Sequence, residues 1–241
     1  MMIKVGLLSS TLVDRENTNW KNRFKKYSKN FSIIELDSTF YAIKTKENYI
    51  RSVDETPDNF NFIVRAYQGM TGDRRYNSQF SGQTDMYDAF KESVKYVASK
   101  NKLKAVLFQY PSWFDCNNRN VNLLRETKER MNNIPSALEL NHHSWFSPNI
   151  CDRTMSFIKR EGWIHSISDK FNEQEINELF SIIQLTNVQH LIVHSHGYDC
   201  INDLLKLRDK LEILKKKTSE INVIFSTDFS IGAKELIELT K

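Results

Sequence analysis

Short apolar runs alternate with longer amphipathic stretches along the whole chain. The runs predict eight strands, over 3–8, 32–37, 61–66, 104–110, 137–140, 164–168, 188–193 and 223–225. Between them, apolar residues recur at three- and four-residue steps, which is typical of helices with one buried face. Strands that alternate with helices pair in parallel, and about eight such units favour a closed barrel. We therefore predict an α/β fold, a TIM-type (β/α)8 barrel formed by a single domain over 1–241. A doubly wound open sheet is the alternative.

Capping residues predict where two of the helices begin and end. Ser147 is expected to cap a helix whose first position is Pro148, and that helix should stop near Gly162. Ser230 is expected to cap the last helix.

Composition narrows the class of protein. Lys and Arg number 34 and Asp and Glu 30, so the net charge is +4, which neither requires nor opposes a nucleic acid or an anionic ligand. The three cysteines form no CxxC pair, as expected in a reducing compartment. The first ten residues fit a buried strand better than a signal peptide, and no apolar run is long enough to span a membrane. We expect a cytoplasmic protein with no membrane partner.

The connection over 67–84 is long for a loop between a strand and a helix. It contains three glycines, two tyrosines and the adjacent pair Arg74 and Arg75. In a barrel it would lie on the face that carries the active site. A lid or anion clamp and a solvated surface excursion are both open interpretations.

Polar side chains stand near the C-terminal ends of most predicted strands, where barrels build their sites. They are Glu35, Asp37, Arg65, Gln109, Glu139, Asn141, His142, Asp169, His194, His196 and Asp228. Their number predicts a pocket for a small polar ligand. A structural role is the alternative for each of them, for example a buried ion pair between Glu35 and Arg65.

The residue types favour hydrolytic chemistry. Glu35 and Glu139 could act as an acid/base pair on a glycosidic or phosphoester bond, with Arg65 and His196 stabilising negative charge. The candidate catalytic residues are therefore Glu35, Glu139 and His196.

A metal site is a weaker interpretation of the same residues. His194 and His196 share one face of a strand and could bind zinc or manganese together with nearby carboxylates. The alternative, which we favour, is that His196 forms a hydrogen bond with backbone or a carboxylate. We predict no metal or other cofactor. The chain contains neither GxGxxG nor a P-loop, so binding of dinucleotides or nucleoside triphosphates by those motifs is not supported.

One segment, IELDSTFY over 34–41, resembles the corresponding segment of YecE-like proteins, known as domain of unknown function 72. Further similar segments follow in the family's order over 60–66, 107–112, 137–146 and 194–197, and together they cover most of the chain. The resemblance implies a barrel. It implies pocket positions at Glu35, Arg65, Gln109, Glu139, His142 and His196.

The chain departs from the family pattern at several pocket positions. Asp37 stands where the family has asparagine, and Asn141 and His194 stand where it has arginine. An anion would then have to be bound by Arg74 or Arg75. We expect a divergent member of the family.

Three functions follow as hypotheses. The first is a barrel that binds a sugar- or phosphate-containing ligand and hydrolyses it. The second, by analogy with apurinic-endonuclease-like barrels, is a protein that binds or cleaves nucleic acid through Arg74, Arg75 and a basic helix over 20–29. The third is a non-catalytic ligand-binding protein.

Overall fold

The closed parallel barrel predicted from the sequence is confirmed. The computed structural model describes residues 2–12, 22–72, 79–168, 189–195, 201–226 and 230–240. Eight parallel strands pair in chain order, and the last closes on the first. They are β1 (Met2–Leu8), β2 (Ile33–Leu36), β3 (Asn61–Arg65), β4 (Leu103–Tyr110), β5 (Ser136–Leu140), β6 (Ile164–Ser168), β7 (His190–Ser195) and β8 (Glu220–Phe225).

Helices surround the barrel wherever the structure describes the connections. They are α1 (Arg23–Tyr27), α2 (Lys46–Asp54), α3 (Gln83–Ser99), α4 (Asn118–Met131), α5 (Cys151–Arg160), α6 (Ile201–Lys215) and α7 (Ser230–Leu239). Single 3-10 turns follow four of the strands, at Ser9–Leu12, Asp37–Phe40, Gln68–Thr71 and His143–Trp145. Among the described helices, none has the length and apolar character needed to cross a bilayer.

Side chains alternate between the two faces of each strand and form two apolar clusters. One fills the middle of the barrel and consists of Ile33, Ile63, Ala105, Leu107, Ala137, Ile192 and Ile224. The other lies between the strands and the helices, with Phe62, Phe108 and Leu138 among its fully buried members. The interior of the barrel is therefore packed, and it leaves no room for a ligand in the middle of the barrel.

The N-terminal end of the barrel is held by charged side chains that bind one another. The Glu220 carboxylate pairs with Lys4 at 3.3 Å and also with Lys104. Lys4 Nζ donates a second hydrogen bond, of 2.5 Å, to Asn61 Oδ1. In barrels of this type the N-terminal end serves stability, and the C-terminal end is where function is expected.

Several element boundaries differ from the sequence prediction, and two of these differences concern predicted site residues. β2 ends at Leu36, so Asp37 begins a 3-10 turn instead of sharing a strand face with Glu35. β7 extends to Ser195, so His194 lies inside the strand and not after it. Both differences arise at the ends of short apolar runs, where the pattern of two-residue alternation is too brief to fix the last residue.

The start of α5 also differs, whereas its end is confirmed. The Ser147 carbonyl accepts hydrogen bonds from the backbone N–H groups of Ile150 and Cys151, so a turn precedes the helix and Pro148 stands in that turn. The α-helix begins at Cys151. Gly162 follows its end with φ of 71°, the left-handed conformation in which glycine commonly ends a helix.

Gly6 is the position at which the barrel tolerates a side chain least. It lies in β1 opposite Ile33, and a Cβ at this position would overlap the Ile33 carbonyl oxygen. We expect Gly6→Ser to lower the free energy of unfolding by about 2 kcal/mol or more, because strand backbone cannot yield as a flexible side chain can. Chemical denaturation measures the change.

Gly82→Ser is the matched control. Gly82 occupies the N-cap of α3, and a Cβ there would meet nothing within 4 Å. Serine is favoured at N-caps, so this variant should be as stable as the parent protein or more so. Equal stability of the two variants would contradict the close approach of β1 and β2.

Candidate functional site

The His194 side chain crosses the interior of the barrel near its C-terminal end and bridges two carboxylates. Its Nδ1 lies 2.5 Å from Glu139 Oε2, and its Nε2 lies 2.6 Å from Glu35 Oε2. The exposed fractions are 1% for Glu35, 1% for Glu139 and 5% for His194. Because both ring nitrogens face a carboxylate oxygen, both donate, and the ring is an imidazolium. We call Glu35, His194 and Glu139 the Glu–His–Glu cluster.

Two neighbouring side chains complete the hydrogen bonding of Glu139. Strand register places Gln109, Glu139 and Ser166 side by side on β4, β5 and β6, all facing the barrel interior. Gln109 Nε2 donates to Glu139 Oε1 at 2.5 Å, and the Ser166 hydroxyl donates to Oε2 at 2.9 Å. Each oxygen of the Glu139 carboxylate is therefore bound within the protein.

Mutual attraction decides the protonation of this cluster. Burial alone would lower the pKa of His194, but the charges of Glu139 and Glu35 and their hydrogen bonds outweigh it and raise the pKa to about 10. Burial alone would likewise raise the pKa of Glu139. The His194 charge, with hydrogen bonds from His194, Gln109 and Ser166, instead holds that pKa far below its usual range.

This arrangement limits what the cluster can do chemically. His194 cannot exchange a proton readily at neutral pH, because both its N–H groups are bound and its pKa is high. The contacts of Glu139 favour its charged form, which disfavours the predicted role as an acid. The imidazole also fills the space between Glu35 and Glu139, so a sugar cannot lie between them as the predicted acid/base pair requires. Of the three groups, only Glu35 has an oxygen, Oε1, with no hydrogen bond from any described residue.

Arg65, the last residue of β3, lies close to this end of the barrel but outside the cluster. Its guanidinium carbon is 4.8 Å from the centre of the Phe40 ring, a cation–π contact. Its Nε is buried, and within the described ranges the guanidinium has neither a hydrogen bond nor an ion pair. The ion pair considered for Glu35 and Arg65 is thus not formed, because Glu35 binds His194 instead.

Three further predicted residues lie at the same end but bind backbone and hydroxyl groups of the rim. Asp37 Oδ1 accepts hydrogen bonds from the Ser9 hydroxyl at 2.7 Å and from Ser10 N–H at 3.0 Å. Asn141 Nδ2 donates to the Tyr110 carbonyl at 2.9 Å. His142 Nδ1 lies 2.8 Å from the Ser144 hydroxyl. In the structure these side chains order the rim.

Five predicted site residues, Asp169, His196, Asp228, Arg74 and Arg75, lie outside the described residues. Their roles stay predictions. Over the parts of the chain that are described, no group of three or more His, Cys, Asp or Glu side chains is placed to bind a metal. The donation from both His194 nitrogens also removes this residue as a metal ligand unless the cluster opens.

Sequence reasoning missed two residues of β6. Ser166 could have been found, because alternation from the interior residue Ile164 places it on the face that carries the site. His165 points the other way and is buried between strands and helices, with both ring nitrogens lacking a partner among the described residues. Burial lowers its pKa to about 4, against a weaker opposing effect of the Glu139 charge.

A closed parallel barrel with charged groups at the C-terminal ends of its strands defines the class of (β/α)8 barrel proteins. Within that class, the chain belongs to the family described as "Protein of unknown function DUF72", whose model matches residues 12–238. The resemblance to YecE-like proteins is thereby confirmed.

Individual relatives agree with this assignment. The chain is 45% identical over 179 residues to "UPF0759 protein YunF" of Bacillus subtilis (strain 168), a match that covers 73% of this chain and 62% of that protein. A crystal structure of a DUF72 family protein from Enterococcus faecalis V583 superposes with a TM-score of 0.84 at 22% identity, covering 99% of this chain and 97% of that one. The crystal structure of a DUF72 family protein from Thermotoga maritima MSB8 superposes with a TM-score of 0.78 at 18% identity, and the match covers 99% of each chain. These structures support the fold.

The protonated state of His194 predicts a loss of stability at alkaline pH. An unfolded histidine releases its proton near pH 6.5, whereas folded His194 keeps its proton to about pH 10. The contribution of His194 to the free energy of unfolding is therefore complete below pH 6.5. Above that pH it falls by about 1.4 kcal/mol per pH unit. Chemical denaturation of the parent protein at pH 7, 8 and 9 should show this slope.

His194→Gln tests the assignment. The free energy of unfolding of the variant at pH 7 should be about 3–5 kcal/mol lower than that of the parent protein, because two buried carboxylates remain without a cation. Its alkaline slope should disappear. His143→Gln, at an exposed position on the rim, should keep the parent slope. An unchanged slope in His194→Gln would show that another group causes it.

The buried neutral His165 predicts a separate effect at acid pH. Its pKa of about 4 lies below the unfolded value of about 6.5, so the unfolded chain takes up the proton first. The contribution of neutral His165 to the free energy of unfolding is complete above pH 6.5, and it is lost as the pH falls toward 4. The difference in unfolding free energy between His165→Met and the parent should therefore shift in favour of the variant from pH 7 to pH 5. Parallel pH profiles would contradict a buried, uncharged His165.

Proposed function

We propose that the C-terminal mouth of the barrel binds a small anionic ligand that also carries hydroxyl groups. Arg65 binds the anionic group, and Glu35 accepts a hydrogen bond from a hydroxyl. The observation that carries the proposal is the partly buried guanidinium of Arg65, whose Nε is buried without a partner in the described structure.

A buried donor that lacks a partner, such as Arg65 Nε, lowers the stability of the folded protein. A buried donor without a partner costs about 1–3 kcal/mol, and more where the group is charged. Proteins retain such a cost where a ligand supplies the missing partner. Guanidinium matches carboxylate and phosphate geometry with two parallel hydrogen bonds, so an anionic group of that kind fits Arg65. Phe40 holds the guanidinium from one face by the cation–π contact.

Glu35 supplies the second contact. It lies on β2, the strand next to the one that carries Arg65. One of its oxygens is fixed by His194, and the other has no partner among the residues described. A carboxylate fixed in this way accepts a hydrogen bond with little further loss of side-chain freedom. The Glu–His–Glu cluster thus acts as the support for one ligand contact.

Hydrolysis is the second candidate function, and the unbonded oxygen of Glu35 favours it. With Glu139 and His194 fixed in their charged states, Glu35 is the group of the cluster that can take a proton from an attacking water. Arg65 would stabilise the negative charge that develops on the reacting group. The alternative of nucleic-acid binding depends on Arg74 and Arg75, outside the described residues, and stays a prediction.

Arg65→Met separates ligand binding from a structural role. We expect the variant to bind glucose 6-phosphate at least about tenfold more weakly than the parent protein in isothermal titration calorimetry. Without ligand it should be as stable as the parent or more stable by about 1 kcal/mol, because an unpaired buried donor is removed. Free glucose should bind more weakly than its phosphate.

Arg153→Met is the control, since Arg153 is exposed on α5. It should change neither affinity nor stability. Equal affinity of Arg65→Met and the parent would contradict the proposed anion contact. A marked loss of stability in Arg65→Met would show that Arg65 is a structural residue. Glu35→Gln should abolish any phosphatase or glycosidase activity that the parent shows, and unchanged turnover would remove the second candidate.

A further inference from the structure

A cavity of about 780 Å³ lies outside the barrel, between α3, α4 and the 3-10 turn Gln68–Thr71. None of the residues that line it belongs to the Glu–His–Glu cluster, and neither does Arg65. Its volume is within the range of about 300–1,000 Å³ found for small-molecule sites. It is therefore a separate place at which a ligand could bind.

Trp113 forms one wall of the cavity and is exposed to an unusual degree for its size. Its exposed fraction is 61%, whereas Trp145 and Trp163 are buried. The indole lies against Gly72, because a Cβ added at that position would come within 3.0 Å of its Cη2. Gly72 also has φ of 101°, a conformation that favours glycine, so both the space and the backbone favour glycine here. An exposed indole is a platform on which a planar ring can stack.

Two arginines of α4 give the cavity its charge. Arg130 donates to the Thr84 hydroxyl at 3.2 Å and lies over the Tyr87 ring at 5.6 Å, so α3 positions it. Arg119 lies in the first turn of α4, where the helix dipole also favours an anion. Neither arginine forms an ion pair with a described residue. Glu126 is the one carboxylate of the lining, so the charged groups sum to +1.

Hydroxyl groups form the inner wall. Thr127 is 1% exposed, and its Oγ1 lies 3.2 Å from the hydroxyl of Tyr87 and 3.2 Å from that of Tyr110. The cavity thus combines a stacking platform, two guanidinium groups that form no ion pair with a described residue, and a polar wall.

The geometry points to this cavity as a binding site for a small molecule with a planar ring and a phosphate group, of the size and chemistry of a nucleoside monophosphate. The ring stacks on Trp113. The phosphate binds Arg119 and Arg130, and Glu126 accepts hydrogen bonds from hydroxyl groups of the sugar.

Isothermal titration of the full chain with adenosine 5′-monophosphate tests the proposal, with adenosine and inorganic phosphate as partial ligands. The monophosphate should bind at least about tenfold more tightly than either part, because ring and phosphate contacts act together. Trp113→Leu keeps an apolar contact with Gly72 but removes the ring. This variant and Arg119→Met should each weaken binding of the monophosphate about tenfold.

Two matched variants complete the experiment. Arg125→Met removes an arginine from the same helix whose side chain faces Glu161 and Phe157, and it should bind the monophosphate as the parent does. Arg65→Met should do the same, because Arg65 lies at the barrel mouth. Absence of binding by the parent, or equal affinity of Arg119→Met and Arg125→Met, would overturn the proposal. Loss of binding in Arg65→Met would assign the ligand to the barrel mouth instead.

Discussion

A single imidazolium between two carboxylates connects three strands across the interior of the barrel. His194 on β7 binds Glu139 on β5 and Glu35 on β2, and these strands are not neighbours in the sheet. Buried charges are tolerated only with partners at short distance, so the ends of the three strands cannot move apart independently. Gln109 and Ser166 are needed for the same reason, because a carboxylate at full burial requires further donors. The shape of the mouth depends on this interaction.

The same interaction divides the polar groups of the mouth into fixed and available ones. His194 and Glu139 form hydrogen bonds with each other and with residues of other strands. Glu35 is fixed through one oxygen, and Arg65 is held by Phe40 without an anionic partner in the described structure. His194 and Glu139 have their hydrogen bonds within the protein, whereas Glu35 and Arg65 each keep polar atoms without a partner among the described residues. This is the arrangement expected for a preorganised ligand site. The available groups are a carboxylate and a guanidinium, and the proposed function assigns them to different parts of one ligand.

The sequence predicts the barrel and the positions of Glu35 and Glu139, because both follow from two-residue alternation within apolar runs. It does not predict the role of His194, since alternation places the histidine on a strand face but does not show that its ring reaches Glu139 and Glu35 on two other strands. Pairing across the interior joins residues more than 50 positions apart, and no local pattern encodes it. His194 also stands where the resemblance places an arginine. Because two carboxylates keep its proton bound, the positive charge is retained although the residue differs.

The two available groups at the mouth are the reason why the proposed ligand combines an anionic group with hydroxyl groups. Arg65 has no anionic partner, and Glu35 Oε1 has no hydrogen bond, among the described residues. A bare inorganic anion bound by Arg65 would leave Glu35 Oε1 without a donor. A hydroxyl that donates to this oxygen meets an acceptor that His194 already holds in place, so little further side-chain freedom is lost. Under the proposed function, a ligand that carries both groups makes two contacts where an inorganic anion makes one, and it should bind more tightly.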